Sequence, residues 1–334
     1  MEKVTINDIA KVANVTAATV SMALNNHPRI SDATKRKIRA LAKELHYVPN
    51  ASARSLASAK THTIGLIISD MAEPINASTV RAILKKIQQT HYKFVLYESY
   101  ENPDWDWSKD LYHQVSREKR VDGIIHKAFN LREQDSAIVD SLVVPMVVIE
   151  NALSWVDCVD IENKEASRLT VNYLLKKGHR KIGVVVCNSP SKVLKIRLKS
   201  VTDTLKDAGL SLDPQHIFQE LLFSPENGAR AADYFHDLID KPTAIFVIAG
   251  DYVAAGLMSR LIELGYQIPG DFAVVGFDDL WFASYLNPKL TSIRQPLEDM
   301  AEAAVDMLIA RIKNPEKPVE MKKFKLNLII RQSA

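Results

Sequence analysis

After His62 the chain alternates short apolar runs with longer stretches of helical spacing, and it does so twice. The first set of runs is TIGLIIS (63–69), KFVLYES (93–99), VDGIIHKA (121–128) and VPMVVIE (144–150). KIGVVVC (181–187), TAIFVIA (243–249) and FAVVGFDD (272–279) form the second, with helical stretches at 164–177, 195–208 and 252–264. Such alternation predicts parallel sheets with helices on both faces. Two successive sets predict two similar lobes, with a ligand cleft between them where the carboxyl ends of the strands point.

The first 60 residues follow a different rule. Apolar residues recur at helical spacing through Ile6, Ile9, Ala10 and Ala13, then Val20, Ala23 and Leu24, then Ile38, Leu41, Ala42 and Leu45, which predicts three short helices. Thr5, Thr16 and Ser31 stand where N-caps are needed, and Asn14 and Val15 leave room only for a tight turn. The segment holds ten Lys/Arg against four Asp/Glu, so it carries +6 while the whole chain carries +3. A compact basic start on a mildly acidic body suits a polyanionic partner, because counterions released from phosphates reward Lys and Arg.

The chain has 334 residues, 47% apolar and 25% charged, enough for two or three folding units with substantial cores. Cys158 and Cys187 both read as small apolar residues at or near strands, so no disulfide framework is expected and a reducing compartment fits. No apolar run approaches the roughly 20 residues of a membrane span, and the expected location is cytoplasmic. There is no GxSxG, HExxH, P-loop or GxGxxG element in context, and the nine His are scattered without ligand spacing. Neither a catalytic set nor a metal or other cofactor is implied.

The run VTINDIAKVANVTAATVSMALNNHPRIS (4–31) resembles the helix-turn-helix signature of the lac-repressor (LacI/GalR) family. Ala10, Val15 and Val20 can lock two helices across the turn, leaving Ala17, Ala18, Ser21 and Met22 on the outer face of the second, the expected major-groove reader. The resemblance implies that Ala17, Ala18 and Met22 set base choice. Relatives often have Arg where Met22 stands, so apolar contacts to thymine methyls are expected here, with Asn25 and Arg29 supplying polar base contacts. Thr5, Thr16, Thr19, Ser21, Ser31, Thr34 and Tyr47 carry hydroxyls at positions that meet phosphate in the family. The plain alternative is a three-helix bundle with a solvated basic face.

YVPNASARSLAS (47–58) resembles the family's hinge, whose short helix pairs with that of a second subunit in the minor groove. Pro49 ends the preceding helix, Asn50 can cap the next, and Ala51 to Ala57 spans about two turns, too few to be stable alone. Resemblance makes Leu56 the wedge between base steps, with Asn50, Ala53 and Arg54 also on the DNA side. A flexible linker with an incidental Leu is the alternative.

LKKGHRKIGVVV (175–186), residues 242–279 and LTSIRQPLEDMAEAAVDML (290–308) are similar to the type I periplasmic-binding-protein fold used as a sensor in this family. The implied layout is an all-α helix-turn-helix headpiece at 1–48, a hinge helix and linker at 49–61, and an effector-binding and dimerisation domain at 62–334. Its two doubly wound α/β lobes are 62–160 plus 292–319, and 161–290 plus 320–334. By resemblance the cleft carries Arg197, Asp251 and Asp278 as polar anchors and Phe223 as a stacking surface, with Glu150 and Ile161 at further cleft positions. A structural role for the polar trio is the rival reading. Ile75 and Asn76 in DMAEPINAS replace aromatic surface common in relatives. Lys127 falls near a position usually uncharged, which admits an anionic or phosphorylated effector, or else a solvated lysine. Trp281 suits either the cleft rim or a dimer contact.

The resulting expectation is a homodimeric repressor on double-stranded operator DNA, controlled by a small polar effector, most simply a sugar or sugar derivative. A transport receptor on the same lobes would lack the basic reader, and a sugar-modifying enzyme would need a base and a nucleophile facing the cleft.

Overall fold

The computed structural model describes residues 4–48, 60–99, 111, 115–118, 120–127, 131, 136–187, 192–220 and 223–334. The chain divides into two compact units, Met1–Thr61 and His62–Ala334.

In the first unit α1 (Ile6–Ala13), α2 (Ala17–Leu24) and α3 (Asp32–Glu44) close around Ile9, Ala10, Ala13, Val20, Ala23, Ile38 and Ala42. Asn14 adopts φ 55°, a left-handed C-cap that Asn tolerates, and Val15 N–H donates back to the Ala10 carbonyl at 3.0 Å. That geometry is the tight turn between the first two helices. Thr16 and Ser31 accept hydrogen bonds from the N–H groups of Thr19 and Thr34. Thr5 behaves differently, since its hydroxyl and its N–H both donate to Asp8, which holds that carboxylate below its ordinary range.

The second unit contains two six-stranded sheets. The first runs β11-β5-β4-β3-β1-β2 and the second β12-β10-β9-β8-β6-β7. Strands β1 (Thr63–Ile68), β2 (Lys93–Glu98), β3 (Gly123–Lys127), β4 (Met146–Ile149) and β5 (Asp157–Ile161) pair in parallel. So do β6 (Ile182–Cys187), β7 (Ile217–Glu220), β8 (Ala244–Val247), β9 (Ala273–Asp278) and β10 (Thr291–Arg294). Central strands β1, β3 and β4 are buried throughout, as expected when helices cover both faces. The helices are α4 (Pro74–Ile87), the short α5 (Ser136–Asp140), α6 (Asn163–Lys176), α7 (Lys192–Asp207), α8 (Pro225–Asp237), α9 (Asp251–Glu263) and α10 (Leu297–Lys313).

Strand partners move the lobe boundaries from those expected. Ile161 ends β5 in the first sheet, so the first crossing follows it rather than residue 160. Strand β10 pairs with β9, which places 291–294 in the second lobe and delays the second crossing past Arg294. The third crossing is also later than expected: β11 (Met321–Phe324) pairs with β5 in the first sheet, whereas β12 (Asn327–Ile329) runs antiparallel to β10 in the second. These strands are three or four residues long, and β11 is largely exposed, so none carries an apolar run that marks its sheet.

Helix α10 returns to the first lobe and packs on α4, with Lys86 bonded to Glu302 and Asp306. Its end is tied down by Arg311, which donates to both carboxylate oxygens of Asp157 at 2.9 and 2.8 Å. Helices α8 and α9 approach so closely that a Cβ at Gly228 would lie 2.0 Å from the Val253 carbonyl and one at Gly256 1.9 Å from that of Pro225. Only glycine permits that crossing.

Candidate functional site

Helix α2 exposes Ala18, while Thr19, Ser21 and Met22 are half-buried along it and Asn25 and Arg29 are exposed beyond its end. Ala17 differs from expectation, because it packs partly against the headpiece core as the first residue of the helix. Thr5, Thr16 and Ser31 are exposed, Thr34 is half-buried, and Tyr47 leans on the core. Asn50, Ala53, Arg54 and Leu56 lie outside the described residues.

Between the lobes, the carboxyl ends of the strands frame a small inner cavity of about 40 Å³. Lys127, Glu150, Arg197, Phe223 and Asp278 all line it, so five of the seven expected cleft residues converge there. Lys127 is buried, neither solvated nor free, with Nζ 2.9 Å from Glu150 Oε2 and 3.2 Å from Asn76 Oδ1. Asn76 Nδ2 in turn donates to Ser69 Oγ, the Asp70 carbonyl and Glu73 Oε2, which pins the β1–α4 turn beside the cavity. Arg197 projects from α7 and donates Nε to Asn163 Oδ1 at 2.8 Å and Nη1 to the Ile248 carbonyl at 2.9 Å. Its guanidinium carbon lies 3.4 Å from the centre of the Phe277 ring.

Asp278 ends β9 at φ 106° and Asp279 follows at φ 52°, two non-glycine residues in the left-handed region. The turn is held by its partners. Gln295 Nε2 donates to Asp278 Oδ1 at 2.7 Å, and Arg294 and Arg331 both pair with Asp279 at 2.6 Å. Burial pushes the Asp278 carboxyl up to about 7, with Arg197 opposing the shift and Glu150 adding to it.

Two expected residues are elsewhere. Asp251 is fully buried at the start of α9, where its carboxylate accepts from the Leu280 N–H at 2.7 Å and from Ser292 Oγ at 2.6 Å. It sits over Gly276, whose missing side chain makes the room: a Cβ there would lie 2.2 Å from Asp251 Oδ1. Gly250, one residue earlier, is the one beside Asp278, since a Cβ on it would come 2.8 Å from Asp278 Oδ2. Ile161 is buried and lines a separate, wider groove of about 840 Å³ at the lobe crossings. Glu73, Ile75, Val193, Leu194, Ala249 and Gln295 complete the inner cavity. Gln295 stands in the RQPLEDM segment that carried the resemblance, which was the available signal for it.

A helix-turn-helix headpiece joined to a two-lobed parallel-sheet sensor with a polar cleft defines a ligand-responsive DNA-binding regulator. Residues 5–50 match the family described as bacterial regulatory proteins, lacI family, and residues 171–334 match a periplasmic binding protein-like domain. The chain is 31% identical over 333 residues to the HTH-type transcriptional repressor PurR of Klebsiella pneumoniae (strain 342), covering 98% of this chain and 96% of that protein. It is 32% identical to PurR of Escherichia coli O139:H28 with the same coverage. Among solved structures, a lac repressor dimer bound to operator and the anti-inducer ONPF has TM-score 0.89 at 25% identity over 99% of each chain. A transcriptional regulator CelR–cellobiose complex has TM-score 0.73 at 26% identity, covering 99% of this chain and 100% of that one. This chain belongs to the lacI family of bacterial regulatory proteins and is a DNA-binding transcription repressor with an effector-binding sensor. The relatives it matches are regulators, not enzymes.

Proposed function

We propose that the repressor is a cytoplasmic homodimer that reads a roughly palindromic operator and is controlled by a sugar-like effector in the inner cavity. The observation that carries the effector reading is the convergence of Arg197, Asp278, Glu150 and Gln295 around one cavity, a set suited to hydroxyl groups, with Phe223 as an apolar wall. The cellobiose held by the CelR neighbour supports the same class.

On the DNA side, Ala18 and Met22 meet thymine methyls, Asn25 and Arg29 make the polar base contacts, and Thr5, Thr16, Thr19, Ser21, Ser31, Thr34 and Tyr47 hold phosphates. Ala17 adds at most a methyl edge. In the hinge, Arg54 and the Leu56 wedge, with Asn50 and Ala53, would engage the minor groove. Trp281 and Tyr285 are strongly exposed on one short turn of the second lobe and suit a subunit contact.

The effector acts by linkage: it binds one arrangement of the lobes more tightly, so it shifts operator affinity and operator shifts its own affinity by the same factor. The test is operator selection from a random duplex pool, followed by anisotropy titrations with sugars, sugar phosphates and nucleosides. A sugar that changes operator affinity and is itself bound more or less tightly when operator is present supports the reading. A nucleoside acting instead overturns the sugar assignment.

A further inference from the structure

The inner cavity is lined by three carboxylates, Glu73, Glu150 and Asp278, and two cations, Lys127 and Arg197. Lys127 is neutralised by Glu150, and Arg197 gives two of its three nitrogens to protein acceptors. Lys127 is held by Glu150 and Asn76, and Arg197 commits Nε and Nη1 to Asn163 and the Ile248 carbonyl while its plane rests on Phe277. The acceptors are not all engaged. Among the described residues, Glu150 Oε1 and Gln295 Oε1 are buried without a hydrogen-bond donor. Both belong to side chains that line the cavity.

An unmet buried acceptor destabilises the empty cavity, and a ligand hydroxyl or amine relieves that cost by donating to it. The phosphoryl group of a monoester dianion brings acceptors only, and meets a lysine already neutralised by Glu150 and an arginine already committed in part to protein acceptors. Glu150 is further marked by its backbone: it stands at φ 60°, a strained conformation for a non-glycine residue, at the mouth of β4. A neutral residue there would leave Lys127 as an uncompensated buried cation.

We infer that the Lys127–Glu150 ion pair is a charge filter, which makes the effector an unphosphorylated, donor-rich molecule and excludes its phosphate esters. This rests on the cleft being the effector site, as proposed above. It also removes the anionic effector that Lys127 suggests when the sequence is read alone. Lys127 contributes no net charge to a ligand because Glu150 neutralises it, and the second oxygen of Glu150 is left without a donor.

The test uses the full-length protein and calorimetry with matched probes: ribose and ribose 5-phosphate, glucose and glucose 6-phosphate, glucosamine, and inorganic phosphate against chloride at equal ionic strength. In the wild type no phosphate ester binds more tightly than its parent. Glu150→Gln gains at least tenfold in affinity for inorganic phosphate, and the gain disappears in the double variant Lys127→Met/Glu150→Gln, which also subtracts phosphate held by the headpiece. A phosphate ester preferred by the wild type overturns the filter, and so does a folded Glu150→Gln without the Lys127-dependent gain. Should Glu150→Gln fail to fold, the wild-type sugar and sugar-phosphate pairs decide alone: an ester bound more tightly than its parent overturns the filter, and one bound more weakly supports it. If no sugar binds the wild type while Glu150→Gln still acquires the phosphate site, the filter stands and the sugar reading falls.

Discussion

Gln295 donates a 2.7 Å hydrogen bond to Asp278, joining the segment that crosses from β10 to α10 to the turn at the end of β9. One partner sits on a lobe crossing and the other on the cavity wall, so a ligand that touches Asp278 also touches a point where the lobes are connected. Gln295→Ala should weaken effector binding about tenfold, about 1.4 kcal/mol, by removing one cavity acceptor and freeing the Asp278 carboxylate. Calorimetry with the selected effector measures this, and an unchanged Kd refutes it.

The raised Asp278 carboxyl makes a statement about stability and pH. Its folded value of about 7 lies above its ordinary value near 3.8, so between those limits the folded protein binds a proton that the unfolded chain does not. Its contribution is complete below about pH 4 and is lost as pH rises through 7, at up to about 1.4 kcal/mol per pH unit. Asp278→Asn should remove that slope, so urea unfolding free energies of wild type and variant, compared from pH 5 to 8, should diverge with pH.

Asp251 braces the turn after β9 through the Leu280 N–H and Ser292 Oγ. Asp251→Ala leaves the Leu280 N–H and Ser292 Oγ without their acceptor and should destabilise the sensor by about 1–3 kcal/mol. Denaturant midpoints test the loss. If Asp251→Ala keeps full stability and loses only effector binding, the residue belongs to the site after all.

The reading helix offers no guanidinium. Met22→Arg should create a guanine preference at one position of each half-site worth about 1–3 kcal/mol, read by repeating operator selection with the variant. No change in the preferred base would show that this residue does not reach a base edge.

The headpiece was legible because its rules are local. Helical spacing, three hydroxyl-bearing residues at the helix starts and an Asn at the turn specify α1 to α3 without distant partners, and Ala10, Val20 and Ile38 meet as their spacing requires. Long buried strands such as β1 and β6 were legible for the same reason, since six consecutive buried residues announce themselves. Strands β10 to β12 did not, because MKKF and NLI take their place from neighbours rather than from their own pattern. Asp251 illustrates the limit at the site: a carboxylate beside a strand end looks the same in sequence whether it faces a ligand or folds over Gly276.

What the sequence by itself determined is the order of units, the helix-turn-helix and the two alternating strand–helix sets, all set by periodicity and turn chemistry within a few residues. Only the tertiary structure decided which charges remain available in the cleft. Lys127 and Glu150 are 23 positions apart at the ends of adjacent parallel strands, and their charges cancel only because β3 and β4 pair side by side. Ionic partnership depends on distance and burial, and neither is a property of residues taken one at a time.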